Sequence, residues 1–200
     1  MKKQLLILSL VLCISSFNLS AQLHVAFEGY RTFPQDTASY RKMEQMFLQK
    51  EIEKARDLGY KLADSCLEAG NEHDFLFFMN QTGAYTFLVG HDMKKSFETW
   101  KYIEKKIRDF NDTLNAEYAV FLKFIATTYY YMYDDAKANH YYRRGLEIMK
   151  SMEVENSMTA DFYVNVGNTY TNMNEYEKAL PYTRKGIELC KKLKDPHLLM

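Results

Sequence analysis

The sequence is poor in the residues that break or staple a chain. It has three prolines, eight glycines and three cysteines in 200 residues. Charge of one sign is not in excess either: 26 Lys and Arg balance 26 Asp and Glu. A near-neutral chain lacks the basic face that nucleic acid demands, and it lacks a polybasic membrane-binding surface. Few glycines and prolines, with no strongly alternating runs, exclude a strand-rich class and point to an all-α fold. There is no G-x-S-x-G, no Walker loop, no C-x-x-C and no G-x-G-x-x-G. None of the five histidines (His24, His73, His91, His140, His197) lies three to five residues from another His or a Cys, so no metal site is predicted. Glu72-His73-Asp74 falls at a predicted helix start, where acids favour the helix dipole. No catalytic residue and no cofactor are expected.

The one apolar run is at the start. Met1-Lys2-Lys3 precedes Leu5–Phe17, and Leu19-Ser20-Ala21 offers small residues before Gln22. This is the layout of a cleaved signal peptide over residues 1–21, which places the protein in the periplasm or cell envelope. A buried N-terminal helix and a retained anchor are the alternatives. Leu12 before Cys13 is too large for a lipobox. The Leu-Ser-Ala-Gln ending resembles signal peptides of the Bacteroides group. Cleavage leaves 24 basic against 26 acidic residues, a charge of −2. The remaining ~180 residues suffice for one domain with a sizeable core. Residues 22–36, with Gly29 and Pro34, have no helical stripe and read as a leader.

From residue 37 the chain is predicted to be helical hairpins. The clearest spans Thr159–Asp195. Tyr163, Val166, Gly167 and Tyr170 share one helix face, as do Ala179, Tyr182, Gly186, Leu189 and Leu193. Gly167 in such a stripe implies close approach of a neighbour, expected to be Ala179. Pro181 removes one backbone bond inside the second helix and favours a kink there. Asp195-Pro196 reads as a cap and first helical position, so a further helix is expected from residue 196.

The hairpin has copies upstream. Leu122, Ile125, Ala126 and Tyr129 match Tyr163, Val166, Gly167 and Tyr170 at a shift of 41, and Arg143-Arg144-Gly145 matches Arg184-Lys185-Gly186. Small anchors of the four second helices, Ala55, Ser96, Ala138 and Ala179, are spaced 41, 42 and 41 residues apart. A fixed period of this size means stacked repeats, here at about 37–71, 72–112, 113–155 and 156–195. Two points stay open. Ser39–Leu67 is either two helices or one, because no Gly or Pro lies between Ser39 and Leu58. The first helix of the second repeat, with Phe75, Phe78, Met79 and Gly83, is ambiguous in register by one residue.

The pattern Tyr163-x2-Val166-Gly167-x2-Tyr170, Ala179-x3-Thr183, Pro196 resembles the tetratricopeptide repeat (TPR), whose pattern is W-x2-L-G-x2-Y, A-x3-F, P. Tyr replaces Trp, Thr replaces Phe, and the proline is late. The ~41-residue period exceeds the usual 34 by about two helical turns, so longer helices are expected. The resemblance implies a right-handed α-solenoid that binds a protein or peptide, non-catalytically, on the concave side lined by the first helices. Carried over, that surface holds Val120, Lys123, Thr127, Tyr130 and Tyr131 in the third repeat. In the fourth it holds Asp161, Val164, Asn168, Thr171 and Asn172. The basic clamp that some members use for a C-terminal carboxylate is not reproduced, because Asp161 and Val164 occupy two of its places. The layout is similar to the N-terminal TPR regions of Bacteroides-type sensor and regulator proteins, which implies a longer signalling chain. A membrane span would come only from a further C-terminal segment. An assembly subunit that docks or self-associates through its last repeat is the competing expectation. The tyrosines Tyr129–Tyr131, Tyr133, Tyr141 and Tyr142 either fill gaps between hairpins or form a stacking platform, the latter being the basis of an enzyme reading with a tyrosine-lined cleft.

Cys66 and Cys190 each lie eleven residues after an anchor, where Ile107 and Met149 stand in the middle repeats. Three repeats at ~10 Å each separate them by ~30 Å, against the ~7 Å limit for a disulfide. They are predicted to be unbridged packing residues. Far-UV circular dichroism should show a helical spectrum; a strand-dominated one overturns the whole reading.

Overall fold

In the computed structural model, residues 34–110 and 115–193 are described. The expected signal peptide, most of the leader and the helix from residue 196 lie outside them. Among the described residues there are eight α-helices, paired as hairpins. They are α1 (Thr37–Leu48), α2 (Ile52–Glu68), α3 (Glu72–Leu88), α4 (Met93–Lys106), α5 (Ala116–Tyr131), α6 (Asp135–Ser151), α7 (Ser157–Asn172) and α8 (Tyr176–Leu193). A short 3-10 turn, Ile107–Asp109, follows α4. The all-α class and the four hairpins agree with the sequence.

Helix starts are set by Asx residues. The side chains of Asp36, Asn71, Asp92, Asn115, Asp134 and Asn156 each accept a hydrogen bond from the backbone N–H three residues on. Each satisfies one of the donors a helix start leaves bare. Within the hairpins, helix ends are set by residues in the left-handed region: Lys50 (φ 63°), His91 (φ 52°), Tyr133 (φ 63°) and Asn174 (φ 62°). They recur with the same 41, 42, 41 spacing as the anchors. At Lys50, Tyr133 and Asn174 the turn is closed by paired backbone bonds, for example Lys50 N–H to Phe47 O (2.9 Å) and Glu51 N–H to Met46 O (2.9 Å). The Lys50 turn splits 39–67 into two helices. No glycine marks it, which is why the sequence left one long helix open.

The second hairpin carries one extra residue in its turn. Asp92 N–H bonds back to Thr86 O, six residues away, where its counterparts reach five. This resolves the register of α3. A Cβ on Gly83 would meet the Trp100 ring, and one on Gly167 would meet Thr183. Trp100 and Thr183 each lie four residues after their anchors, so Gly83 and Gly167 are equivalent. The neighbour of Gly167 is therefore Thr183 and not Ala179 as expected, because the two helices meet one turn farther along α8. Pro181 sits within α8, which runs unbroken from Tyr176 to Leu193.

All four anchors are buried, and Ser96 Oγ donates to Gly83 O (2.9 Å). Every residue of α3 from Asp74 to Thr86 is buried. α3 is packed by α1, α2, α4 and α5, and its buried polar side chains include Asn80, Thr82 and Thr86, each of which makes a hydrogen bond. Both described cysteines are free thiols. Cys190 is buried with Ala160 and Leu189, under Tyr163 and Leu193. Cys66 is half-buried; burial, then the charges of Asp74 and Asp36, push its thiol pKa up.

Gly83→Ala should destabilise the fold by about 1–3 kcal/mol through overpacking against Trp100, despite Ala being the better helix former. Thermal unfolding followed by Trp100, the single tryptophan, should show a Tm lower by about 2–4 °C per kcal/mol.

Candidate functional site

The candidate surface is the side of the first helices α3, α5 and α7. With Gly83 and Gly167 as fixed points and the sequence shift of 41 placing Ala126 beside them, equivalent positions can be followed along the stack. One position forms a series of rungs between successive first helices. Tyr40 of α1 packs edge-on against Phe77 of α3 (5.1 Å between centroids). Asn80 of α3 donates through Nδ2 to Glu117 O (2.9 Å) and Glu117 Oε2 (3.0 Å) of α5. Lys123 of α5 forms an ion pair with Asp161 of α7. The same position in α7 is Val164.

These rungs change what the predicted groove residues can do. Lys123 and Asp161 are half-buried and spend their charges on each other. Val120 is 2 % exposed and withdrawn into the floor. Thr127 Oγ1 donates to Lys123 O (2.8 Å) and lies 2.9 Å from Tyr142 Oη. Tyr131 packs on Phe87 of α3 (6.0 Å), and Tyr130 meets Tyr131 edge-on (6.1 Å). Val164 stands against Gly186 of α8. Thr171 is exposed but donates to Gly167 O of its own helix (3.0 Å). Asn172 donates to Asp135 Oδ1 of α6 (2.8 Å), tying α7 to the preceding hairpin. Asn168 alone of the set is both exposed and without a hydrogen bond among the described residues.

Sequence reasoning missed the α3 part of this side, namely Phe77, Asn80, Gln81 and Ala84, all four of which are buried and so belong to the packing between helices. The only signal was the α3 register, which could not be fixed without the extra turn residue. It also missed Glu44, whose Oε1 accepts from Tyr40 Oη (3.0 Å) and Tyr85 Oη (2.5 Å).

The tyrosines serve mainly as packing between hairpins. Tyr129 stacks on Tyr141 (5.6 Å) and meets Phe97 edge-on (5.4 Å). Tyr141 Oη donates to Glu104 of α4, and Tyr102 Oη to Asp64 of α2. Of the six tyrosines Tyr129–Tyr131, Tyr133, Tyr141 and Tyr142, Tyr133 is widely exposed. Burial first, then a carboxylate acceptor, raises the phenol pKa values of Tyr85, Tyr102 and Tyr141; burial raises that of Tyr142. Glu72-His73-Asp74 opens α3, with Asn71 capping Asp74 N–H (3.0 Å) and His73 Nδ1 2.9 Å from Asp74 Oδ1. Among the described residues no group of three or more His, Cys, Asp or Glu could hold a metal ion. None of their helices is long and apolar enough to cross a membrane.

A second surface lies on α8. Leu180 and Ile187 are 50 % and 40 % exposed, whereas their equivalents on α6, Asn139 and Leu146, are 6 % and 4 %. In α6 that face is covered by α7: Asn139 donates to Thr169 Oγ1 (2.8 Å) and Tyr142 meets Phe162 edge-on (6.4 Å).

Residues 159–193 match the tetratricopeptide repeat family model. They coincide with the fourth hairpin. A putative kinesin light chain from Podosopora anserina with nearly identical TPR-like repeats has a similar fold: TM-score 0.59 at 8 % identity, covering 78 % of this chain and 74 % of that one. BtubC (BKLC) from P. vanneervenii gives TM-score 0.62 at 13 % identity, over 88 % of this chain and 73 % of that one. At such identities the likeness is one of fold. No curated protein sequence matches the chain. The chain thus has a TPR-like α-solenoid fold.

The phenols give a pH test. Their raised folded pKa values mean that the stability they contribute is present below the unfolded value of about 10 and is lost as pH rises above it. Ultraviolet titration of the phenolate should show fewer tyrosines ionised near pH 11 in the native chain than in denaturant, with unfolding on further alkalinisation.

Proposed function

We propose that this protein is a non-catalytic scaffold that holds a protein or peptide partner along the first-helix side of its repeats. It would be exported through its N-terminal segment to the periplasm or envelope of a bacterium and serve as the sensory part of a longer signalling protein. The observation that carries the binding reading is the match of the fourth hairpin to the tetratricopeptide repeat within a stack of the same type. Asn168 supports it as an exposed amide, with no bond to spend, suited to a peptide backbone. The export and signalling parts rest on the residue pattern of 1–21 and on the resemblance described above.

A second reading is favoured by the apolar face of α8. Leu180 and Ile187 present a ready surface for a partner helix, as in an assembly subunit. No constellation among the described residues supports an enzyme with a tyrosine cleft, since those side chains are engaged in packing.

Two variants separate the readings. The full chain is used to capture partners from an envelope extract, and the captured partner is then titrated. Asn168→Arg should weaken binding about tenfold or more, a change of roughly 1.4 kcal/mol, while Leu180→Asp leaves it intact. The reverse pattern establishes the α8 reading. Binding unaffected by both variants overturns both.

A further inference from the structure

In this stack the second helices α2, α4 and α6 are each packed by the first helix of the next hairpin. On α6 the contacts with α7 mark the face that is covered. Asp135 accepts from Asn172, Asn139 donates to Thr169 Oγ1, Tyr142 meets Phe162, and Arg143 Nη1 donates to Tyr170 Oη (3.4 Å). A shift of 41 carries that face to Tyr176, Leu180, Thr183 and Arg184 on α8, with Ile187 in the place of Leu146. Two polar positions of α6 have become apolar there: Tyr176 replaces Asp135 and Leu180 replaces Asn139. Yet Tyr176, Leu180 and Ile187 are all exposed.

The charges around this face have a direction. By the 100° step of a helix, Glu177, Arg184 and Lys191 border it within about 60° of Leu180. None of the three side chains has a hydrogen bond or ion pair among the described residues. The acid lies towards the start of α8 and the bases towards its end. Leu180 and Ile187 are seven residues apart and Glu177 and Lys191 fourteen, about a common midpoint at Thr183-Arg184. Turning a second α8 end for end therefore lays Leu180 on its Ile187 and Glu177 beside its Lys191, and each contact occurs twice. Pro181 adds to this match. It has no N–H to give to the Glu177 carbonyl, so the incoming ammonium meets two acceptors at one residue. Parallel pairing would set Lys191 against Lys191 and Glu177 against Glu177. Head-to-tail stacking fares no better. Tyr40, Met43 and Phe47 of α1 are buried, and its exposed Arg41 and Lys42 would face Arg184 and Lys191.

We propose that the occupant of the α8 face is a second copy of this chain, docked antiparallel, α8 on α8, about a two-fold axis near Thr183. This rests on the second reading above, in which α8 receives a partner helix, and it names that helix. Such a contact is isologous and closes on itself. One helix face per copy is a small interface, so the association is a weak one, in the micromolar range. Asn168 lies on α7 outside the contact, so a dimer would carry two first-helix surfaces and bind a bivalent partner with avidity.

Sedimentation equilibrium of the full chain over the micromolar range tests this. A monomer–dimer equilibrium is expected. Leu180→Asp should weaken it at least about tenfold, by placing a carboxylate against Ile187 of the other copy. Glu177→Lys and Lys191→Glu should each weaken it about threefold or more, because like charges then meet, and the double variant should restore it. All three side chains are exposed, so helix content by circular dichroism should not change. A chain that stays monomeric overturns the proposal, as does growth beyond a dimer. So does a dimer that Leu180→Asp leaves intact, or a double charge variant no tighter than the single ones. If the chain is monomeric while Leu180→Asp still weakens partner capture, this inference fails and the α8 reading stands. If neither a dimer nor a captured partner depends on Leu180, both fail.

Discussion

Helix α3 is buried on all sides from Asp74 to Thr86, and the stack depends on that burial. Its neighbours come close because small groups stand where backbones meet. Trp100 lies on Gly83, and Thr82 and Met43 crowd Gly59. Close packing of this kind is unforgiving of even one added methyl group. It also fixes the longitudinal register of each helix against the next, so positions along the stack become equivalent. From that equivalence comes the line of rungs Tyr40–Phe77, Asn80–Glu117 and Lys123–Asp161.

The rungs shift attention from one set of groove residues to another. A half-buried lysine bonded to an aspartate is a brace between hairpins before it is a ligand contact. Here the same face holds the hairpins together. The third repeat gives its groove positions largely to this task, through Lys123, Thr127 and Tyr131. The fourth leaves Asn168 outside it. The unpaired carbonyls of Asn80 and Gln81 stand out against this background, because nearly every other buried polar side chain in the described residues is bonded.

Much of the fold was legible in the residue pattern. Ala55, Ser96, Ala138 and Ala179 marked the second helices, and all are buried. The end of α2 was signalled by Gly70, which takes φ 73° there. The α1–α2 break was not, because Lys50 adopts a left-handed conformation through the bonds of the turn around it. The α3 register was hidden for a related reason. Its face pattern is buried all round, so no polar side marked which residues looked outward.

The sequence by itself determined the class, the number of hairpins and their period. Those follow from local spacing: small and apolar residues recurring at helical intervals every 41 or 42 positions, with few breakers between. Only the tertiary structure decided which groove side chains are spent and which are open. Whether Lys123 is a free ammonium or half of a brace depends on Asp161, 38 residues away and on another helix. Whether Leu180 is core or surface depends on whether a helix covers α8, as α7 covers Asn139 on α6. Such outcomes are set by contacts between repeats, and spacing within a repeat carries no record of them.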